Sequence, residues 1–268
     1  MVGIDKVYFN HGVTTLSPGE HFIEFRDGSQ EEYVFNTEVN SQNRLFIDQI
    51  KDIKTLTINI NEDSHFILNS ILSVIVLLPV NLVINVKRNA SIEAYFAELS
   101  DCNLDFNCEI NLLEENASAI VKLASVASKD FTKNIKININ HLVPRTYGKV
   151  DNYGISQDTA KLVFSGTSYI VNGAIKSKAQ QNARIMVFDE ASDGIAKPIL
   201  KIDENDIEAS HAAVVGKIND EHLFYLTSRG ISEAEAKRLI TTGYFTPIIN
   251  GFDEKYKEHL SSMIERRM

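Results

Sequence analysis

The sequence predicts a mainly β chain that ends in a small α-helical subdomain. Short runs rich in Ile, Val, Asn and Thr recur at even spacing over about 180 residues, longer than a single sandwich usually extends. No helical pattern of about ten residues or more separates them, which argues against βαβ architecture. From Ser210 onward the composition shifts to Glu, Ala, Lys, Leu and Arg at helical spacing. The strands fit either a sandwich or a parallel β-helix, and composition alone does not choose. Clear hairpin turns are few, and Asn and Asp flank many strands, as the corners of stacked coils require.

In chain order, Phe22-Ile23-Glu24-Phe25 and Tyr33-Val34-Phe35 read as strands, with Arg26-Asp27-Gly28-Ser29 as the turn between them. Further strands follow at Leu56–Ile60, Phe66–Leu68, Val74–Leu77, Leu82–Val86, Ile92–Phe96, Leu104–Ile110, Ala119–Leu123 and Ile135–Asn140. Most alternate apolar with polar residues, so each has one buried and one wet face. His141 to Gly148 interrupts the pattern, and His141 reads as a corner histidine bonded to backbone. Gly154, Gly166 and Gly173 punctuate later strands. Lys176 to Asn182 reads as exposed coil, and the acidic run Asp203, Glu204, Asp206, Glu208 as a solvated edge.

The C-terminal stretch is read from its caps. Asn219 is an N-cap, and Asp220 and Glu221 suit the positive end of the helix dipole. Arg229 falls in the last turn and Gly230 closes the helix in the left-handed conformation, with Ile231 packing back on Leu226. Ser232 and Glu235 form a capping box that opens a second helix. Its apolar face is Ala236, Leu239, Ile240 and Tyr244. Thr246-Pro247 either starts a new helix or ends the old one, Gly251 is another break, and Phe252, Tyr256, Leu260, Met263 and Ile264 mark a last helix.

His211 with the small residues after it, Val215-Gly216, Leu223-Phe224-Tyr225-Leu226 and Ser228-Arg229-Gly230-Ile231-Ser232-Glu233-Ala234-Glu235-Ala236 resemble the C-terminal signature of the SufB/SufD family. These are non-ATPase subunits of the SUF iron–sulfur cluster assembly system. Looser similarity covers Asn205 to Glu208, Pro198 and Val163 to Gly166. The resemblance implies a right-handed parallel β-helix over 1–209 and an ATPase-docking helical subdomain over 210–268. It implies a non-enzymatic scaffold that pairs with a like subunit, as homodimer or heterodimer, and docks a SUF ABC-type ATPase. Leu223, Phe224, Tyr225, Arg229 and Gly230 would meet that ATPase. His211 would be a metal ligand, toward iron or a nascent cluster handled in the assembled complex. No cofactor is expected to be bound stably.

Two departures favour a SufD-like reading, or that of a reduced paralogue, over a SufB-like one. SufB-type subunits carry a glutamate after this histidine, where this chain has Ala212. They also carry a cysteine before the matched proline, and here that position falls near Ser192. The family's N-terminal helical region is not recognised in this sequence.

Composition limits the function classes further. The net charge of −9 disfavours nucleic-acid binding, and 44% hydrophobic with 24% charged residues is ordinary for a globular protein. The start lacks a signal-peptide pattern, and Phe66 to Val86 is too interrupted by Asn, Ser and Pro for a membrane span. The expectation is a cytoplasmic protein with no nucleic-acid or membrane partner. Cys102 and Cys108 on one strand would be too far apart to bridge, so both are expected reduced and partly buried. No phosphate-cradling glycine loop, Gly-x-Ser-x-Gly elbow or Cys-x-x-Cys is present, so no catalytic residue is assigned. The rival readings are a β-helix carbohydrate-active enzyme and a β-rich interaction module.

Overall fold

The structure, a computed structural model, describes residues 6–8, 12–24, 32–48, 54–72 and 79–268. The expected turn at Arg26 to Ser29 and the run Val74 to Leu77 lie outside those residues. The strands are β1 (Lys6–Tyr8), β2 (Gly12–Leu16), β3 (Gly19–Glu24), β4 (Glu32–Thr37), β5 (Gln42–Asp48), β6 (Thr55–Ile60), β7 (His65–Leu72), β8 (Val80–Val86) and β9 (Ser91–Glu98). They continue as β10 (Leu104–Leu112), β11 (Ser118–Ala127), β12 (Thr132–His141), β13 (Tyr147–Ser156), β14 (Lys161–Ile170), β15 (Ser177–Val187), β16 (Asp193–Ile202) and β17 (Ile207–Lys217). Three helices follow: α1 (Asp220–Thr227), α2 (Glu233–Ile249) and α3 (Glu254–Arg267).

Odd-numbered strands form one sheet in the order β1-β3-β5-β7-β9-β11-β13-β15-β17, and even-numbered strands form the other, from β2 to β16. Each described pairing is parallel. The chain therefore winds from one sheet to the other and back, as a parallel β-helix; a sandwich built from hairpins is ruled out. Strands lengthen from five and six residues in β2 and β4 to eleven in β15 and β17. Side-chain bonds between neighbouring coils join residues 23 apart early in the chain, 26 apart in the middle and 31 apart near the end.

Alternation builds the core. In β6, β8 and β10 every second residue is buried, and Ile58, Ile84, Phe106 and Ile110 meet Phe66, Phe96 and Val121 from the opposite sheet in one apolar lumen. The outward partners stack as well: Asn59, Asn85, Asn111 and Asn140 each donate an amide N–H to the Asn of the preceding coil. Corners need one left-handed residue per turn. Asn40, Asp63, Asn89 and Asn116 supply it with φ of 52° to 62°, a region that Asn and Asp tolerate. The corner amides of Asn89 and Asn116 then bond coil to coil.

Several local expectations are corrected. Lys176 to Asn182 is not coil: it enters β15, where Ser177, Ala179 and Gln181 point inward and are buried. Gly154 and Gly166 sit inside β13 and β14 rather than between strands. A Cβ on Gly154 would strike Leu162 and Phe164, and one on Gly166 would strike the Ile137 carbonyl. β17 runs through position 210, so the sheet continues past the expected boundary and the first helix begins at Asp220. Cys108 is buried in the lumen on β10, while Cys102 lies in the corner before that strand; neither is in a disulfide.

The helices α2 and α3 form a third layer on the outer face of the odd sheet. Phe245, Ile248, Phe252, Leu260 and Ile264 bury Phe46, Ile71, Tyr95, Ala97 and Val126 from below. Tyr256 stacks on Phe46 with ring centroids 3.5 Å apart. The expected apolar face of α2 is rotated: Ala236, Thr241, Phe245 and Ile248 are buried, while Leu239 is exposed. Neither Thr246 nor Pro247 ends the helix. Pro247 would rob Gly243 of its helical partner, and Gly243 is exposed, where water can take that carbonyl. Gly251 makes the turn into α3, its Cα against the Tyr95 ring, where no side chain fits.

Candidate functional site at the open end of the solenoid

The last coil ends in two sheet edges of different character. In the even sheet the edge is β16, which carries Pro198 in mid-strand and the exposed Lys197 and Lys201. A proline without an N–H and a row of lysines are the usual means of blocking strand addition. The odd-sheet edge, β17, has neither across Ser210-His211-Ala212-Ala213-Val214-Val215-Gly216. Every residue from Ser210 to Lys217 is exposed, and Val214 is 58% open to solvent. An unguarded apolar edge of this length is a template for another strand.

His211 stands on the lumen side of that edge. β17 pairs with β15 in unbroken register, with His211 opposite Gln181. Gln181 points inward, as do Ala179 and Ile185, so His211 faces the mouth of the lumen. It is exposed because no further coil covers it. The expected metal ligand is therefore an exposed residue of the terminal strand. Among the described residues no group of three or more His, Cys, Asp or Glu is placed to enclose a metal. His211 alone cannot hold iron; ligands from a second surface would have to complete the shell.

Ser192, near which the SufB-type cysteine position is expected to fall, closes the turn before β16, donating to the carbonyls of Asp189 and Ser156 at 2.9 and 3.1 Å. Cys108 is separated from the edge strand by β12 and β14. His141 is a different case. It is fully buried at the end of β12, with Nδ1 sharing a hydrogen bond with Thr146 Oγ1 at 2.8 Å rather than with backbone. Burial lowers its pKa to about 4, so the ring is neutral. The acidic run holds its own turn: Glu204 accepts from the backbone N–H of Gly173, Asn205 and Asp206, which keeps its carboxyl below the usual range.

Beside the open edge stands α1, capped as its residues require. Asn219 accepts from the N–H groups of Glu221 and His222, and Gly230 has φ of 86°. Ile231 N–H donates to the Leu226 carbonyl, and Ser232 accepts from Glu235 N–H. No residue of α1 is buried. Phe224 is 73% exposed and Tyr225 53%, while Leu223 is half-buried. Arg229 lies beyond the helix end, not in its last turn, and its guanidinium sits 4.2 Å from the centre of the Tyr225 ring. The stack of Arg229 on Tyr225 and the exposed valines of β17 were not legible in the sequence; the one available signal was the run of small residues without Lys or Pro.

Residues 10–244 match the family described as SUF system FeS cluster assembly, SufBD core domain. The chain belongs to the SufB/SufD family. It is 34% identical over 182 residues to the iron–sulfur cluster assembly protein SufD of Bacillus subtilis, covering 68% of this chain and 42% of that protein. Over 157 residues it is 27% identical to a SufBD family protein of Staphylococcus saprophyticus, covering 59% and 34% of the two chains. A SufBD family protein of Mycobacterium tuberculosis is 27% identical over 154 residues, covering 58% and 18%. The chain thus spans less than half the length of these curated relatives. Within the SufB/SufD family the chain is SufD-like. No helix among the described residues is long and apolar enough to cross a membrane.

Proposed function

We propose that this SufD-like chain is a non-enzymatic, cytoplasmic scaffold subunit of SUF iron–sulfur cluster assembly. It pairs with a like subunit through β17 and docks an ABC-type ATPase on α1. The observation that carries the reading is α1 itself. An eight-residue helix with no buried side chain is too short to be stable on its caps alone. Phe224, and Tyr225 with Arg229 over its ring, present the aromatic–arginine chemistry of binding hot spots. A partner groove that takes this face would supply the burial α1 lacks.

The like subunit is supported by the contrast between the two edges: β17 is open to an added strand, whereas β16 is blocked. Pairing there would bring His211 against the other subunit, whose residues would complete a shell around iron or a nascent cluster passing through as cargo. The neutral imidazole is a suitable ligand for iron.

Pull-down with a SUF-type ATPase tests the docking. Wild type should be retained, and Phe224→Asp and Arg229→Glu should lose most of the recovery; equal recovery of all three would refute it. Sedimentation of Val214→Lys tests the pairing, with a shift toward monomer expected. Iron retained by the assembled complex should fall with His211→Ala while assembly persists. If the protein binds neither ATPase nor iron, the β-rich interaction module is the better description.

A further inference from the structure

The parallel ladder between β12 and β14 has one interruption. Pairs run from Thr132↔Lys161 to Lys136↔Ser165 and resume at Ile139↔Ser168. In the gap the Thr167 N–H leaves the ladder and donates to the Asn138 side chain, Oδ1, at 3.0 Å. Gly166 lies against the Ile137 carbonyl so closely that a Cβ would overlap the oxygen, so the two backbones approach as only glycine allows. A small notch results, lined by Ile137, Val150, Asn152, Phe164, Gly166 and Gln181 among others, with about 10 Å3 open to a water centre.

Two buried amides belong to its wall, each only 5% exposed. Gln181 Nε2 donates to Ser168 Oγ at 2.6 Å. Asn152 Oδ1 has no hydrogen-bond partner in the protein. A buried acceptor left bare is costly, and native proteins satisfy such groups with protein or with ordered water. That space is about the least that holds one water and is too small for an organic ligand, and the wall offers the several polar atoms that an internal water needs.

We propose that this notch is a binding site for a single internal water, which donates to Asn152 Oδ1 and uses the polar atoms of Gly166 and Gln181 for its remaining bonds. The break in the ladder is then a built feature, because a regular Ile137–Gly166 pairing would leave no room for the water. The site lies one coil below the terminal strand, since Gln181 is the register partner of His211. The floor of the lumen mouth is therefore hydrated and its amides are held in fixed orientation.

A high-resolution crystal structure of the chain decides the point, together with 17O relaxation dispersion, which counts long-lived waters in solution. Wild type should show density within hydrogen-bond distance of Asn152 Oδ1, about 2.7–3.0 Å. Asn152→Leu should show one long-lived water fewer, while Asn152→Asp, which keeps an acceptor, should retain it. If Asn152→Leu does not fold, wild type and Asn152→Asp still decide. A notch without density in wild type, a collapsed notch with Asn152 turned to a protein donor, or an unchanged water count in Asn152→Leu would overturn the assignment. None of these readouts depends on ATPase docking or subunit pairing.

Discussion

Lys133→Met tests whether the lumen depends on its one described ion pair between fully buried side chains. Lys133 points inward at the start of β12, in line with Ile135, Ile137 and Ile139, and is fully buried. Its Nζ donates at 2.7 Å to Glu98 Oε2, to the Ser100 carbonyl and to the Val126 carbonyl, which uses all three ammonium hydrogens. Glu98, equally buried, also accepts from Ser100 N–H, Ser100 Oγ and Ser125 Oγ. Methionine keeps the length of the chain but leaves a buried carboxylate without its counter-charge and two carbonyls without a donor. Breaking a buried pair from one side costs about 3–5 kcal/mol, a large part of the roughly 5–15 kcal/mol by which a domain is stable. The double variant Lys133→Met/Glu98→Gln removes both charges, and its amide can still bond locally, so it should recover at least about half of that loss. Urea unfolding of the four proteins, with amide exchange in β9 and β12, measures the cycle; exchange is needed because coils of a solenoid can open separately. A loss below about 1 kcal/mol in Lys133→Met, or a double variant worse than the sum of the singles, would refute the reasoning.

Other perturbations probe the helical layer and the pH response. Gly251→Ala drives a methyl into the Tyr95 ring, and Asn69 Nδ2, which donates to the Gly251 carbonyl at 3.1 Å, fixes the backbone there; a loss of about 1–3 kcal/mol in thermal unfolding is expected. Asn219→Ala removes the acceptor for two N–H groups of α1 and should speed amide exchange in α1 by the equivalent of about 1 kcal/mol, with the β-helix unchanged. Burial lowers the His141 pKa from 6.5 to about 4, so the unfolded chain takes up a proton that the folded chain refuses. The stability linked to His141 is complete above about pH 6.5 and is lost as pH falls toward 4, by about 3 kcal/mol in all. His141→Gln should flatten that part of the urea midpoint–pH curve, and an unchanged slope would place the acid sensitivity elsewhere.

Local chemistry was legible in the sequence because it needs only neighbours. The caps at Asn219 and Ser232, the left-handed Gly230 and the apolar alternation of β6 to β12 each depend on residues within a turn or a strand. Long-range consequences were not. Lys133 and Glu98 are 35 residues apart, and Lys133-Asn134-Ile135 reads like a wet strand end until the corner folds over it. The coil period drifts as the strands lengthen, so no fixed repeat marks which coil lies above which. The face of α2 is set by the sheet beneath it: Thr241 and Ile248 are buried because Tyr95, Ala97 and Val126 lie there, not because the helix alone prefers it.

The same distinction explains why the residues of the candidate site could be named but not placed. His211 and Gln181 were both in view, yet whether His211 is buried or open depends on β17 being the last strand of its sheet, which is a property of the whole stack. In an interior coil the same inward position is sealed, as Gln181 is. At the end of the stack it becomes the rim of an opening. An edge strand of small residues with a histidine on its inner face leaves backbone donors, apolar side chains and an imidazole unmatched at once. A single strand added from another subunit could satisfy the first two and bring ligands to the third. On the proposed pairing the histidine depends on the edge and not the reverse: a variant that blocks strand addition should also abolish iron retention, even with His211 intact.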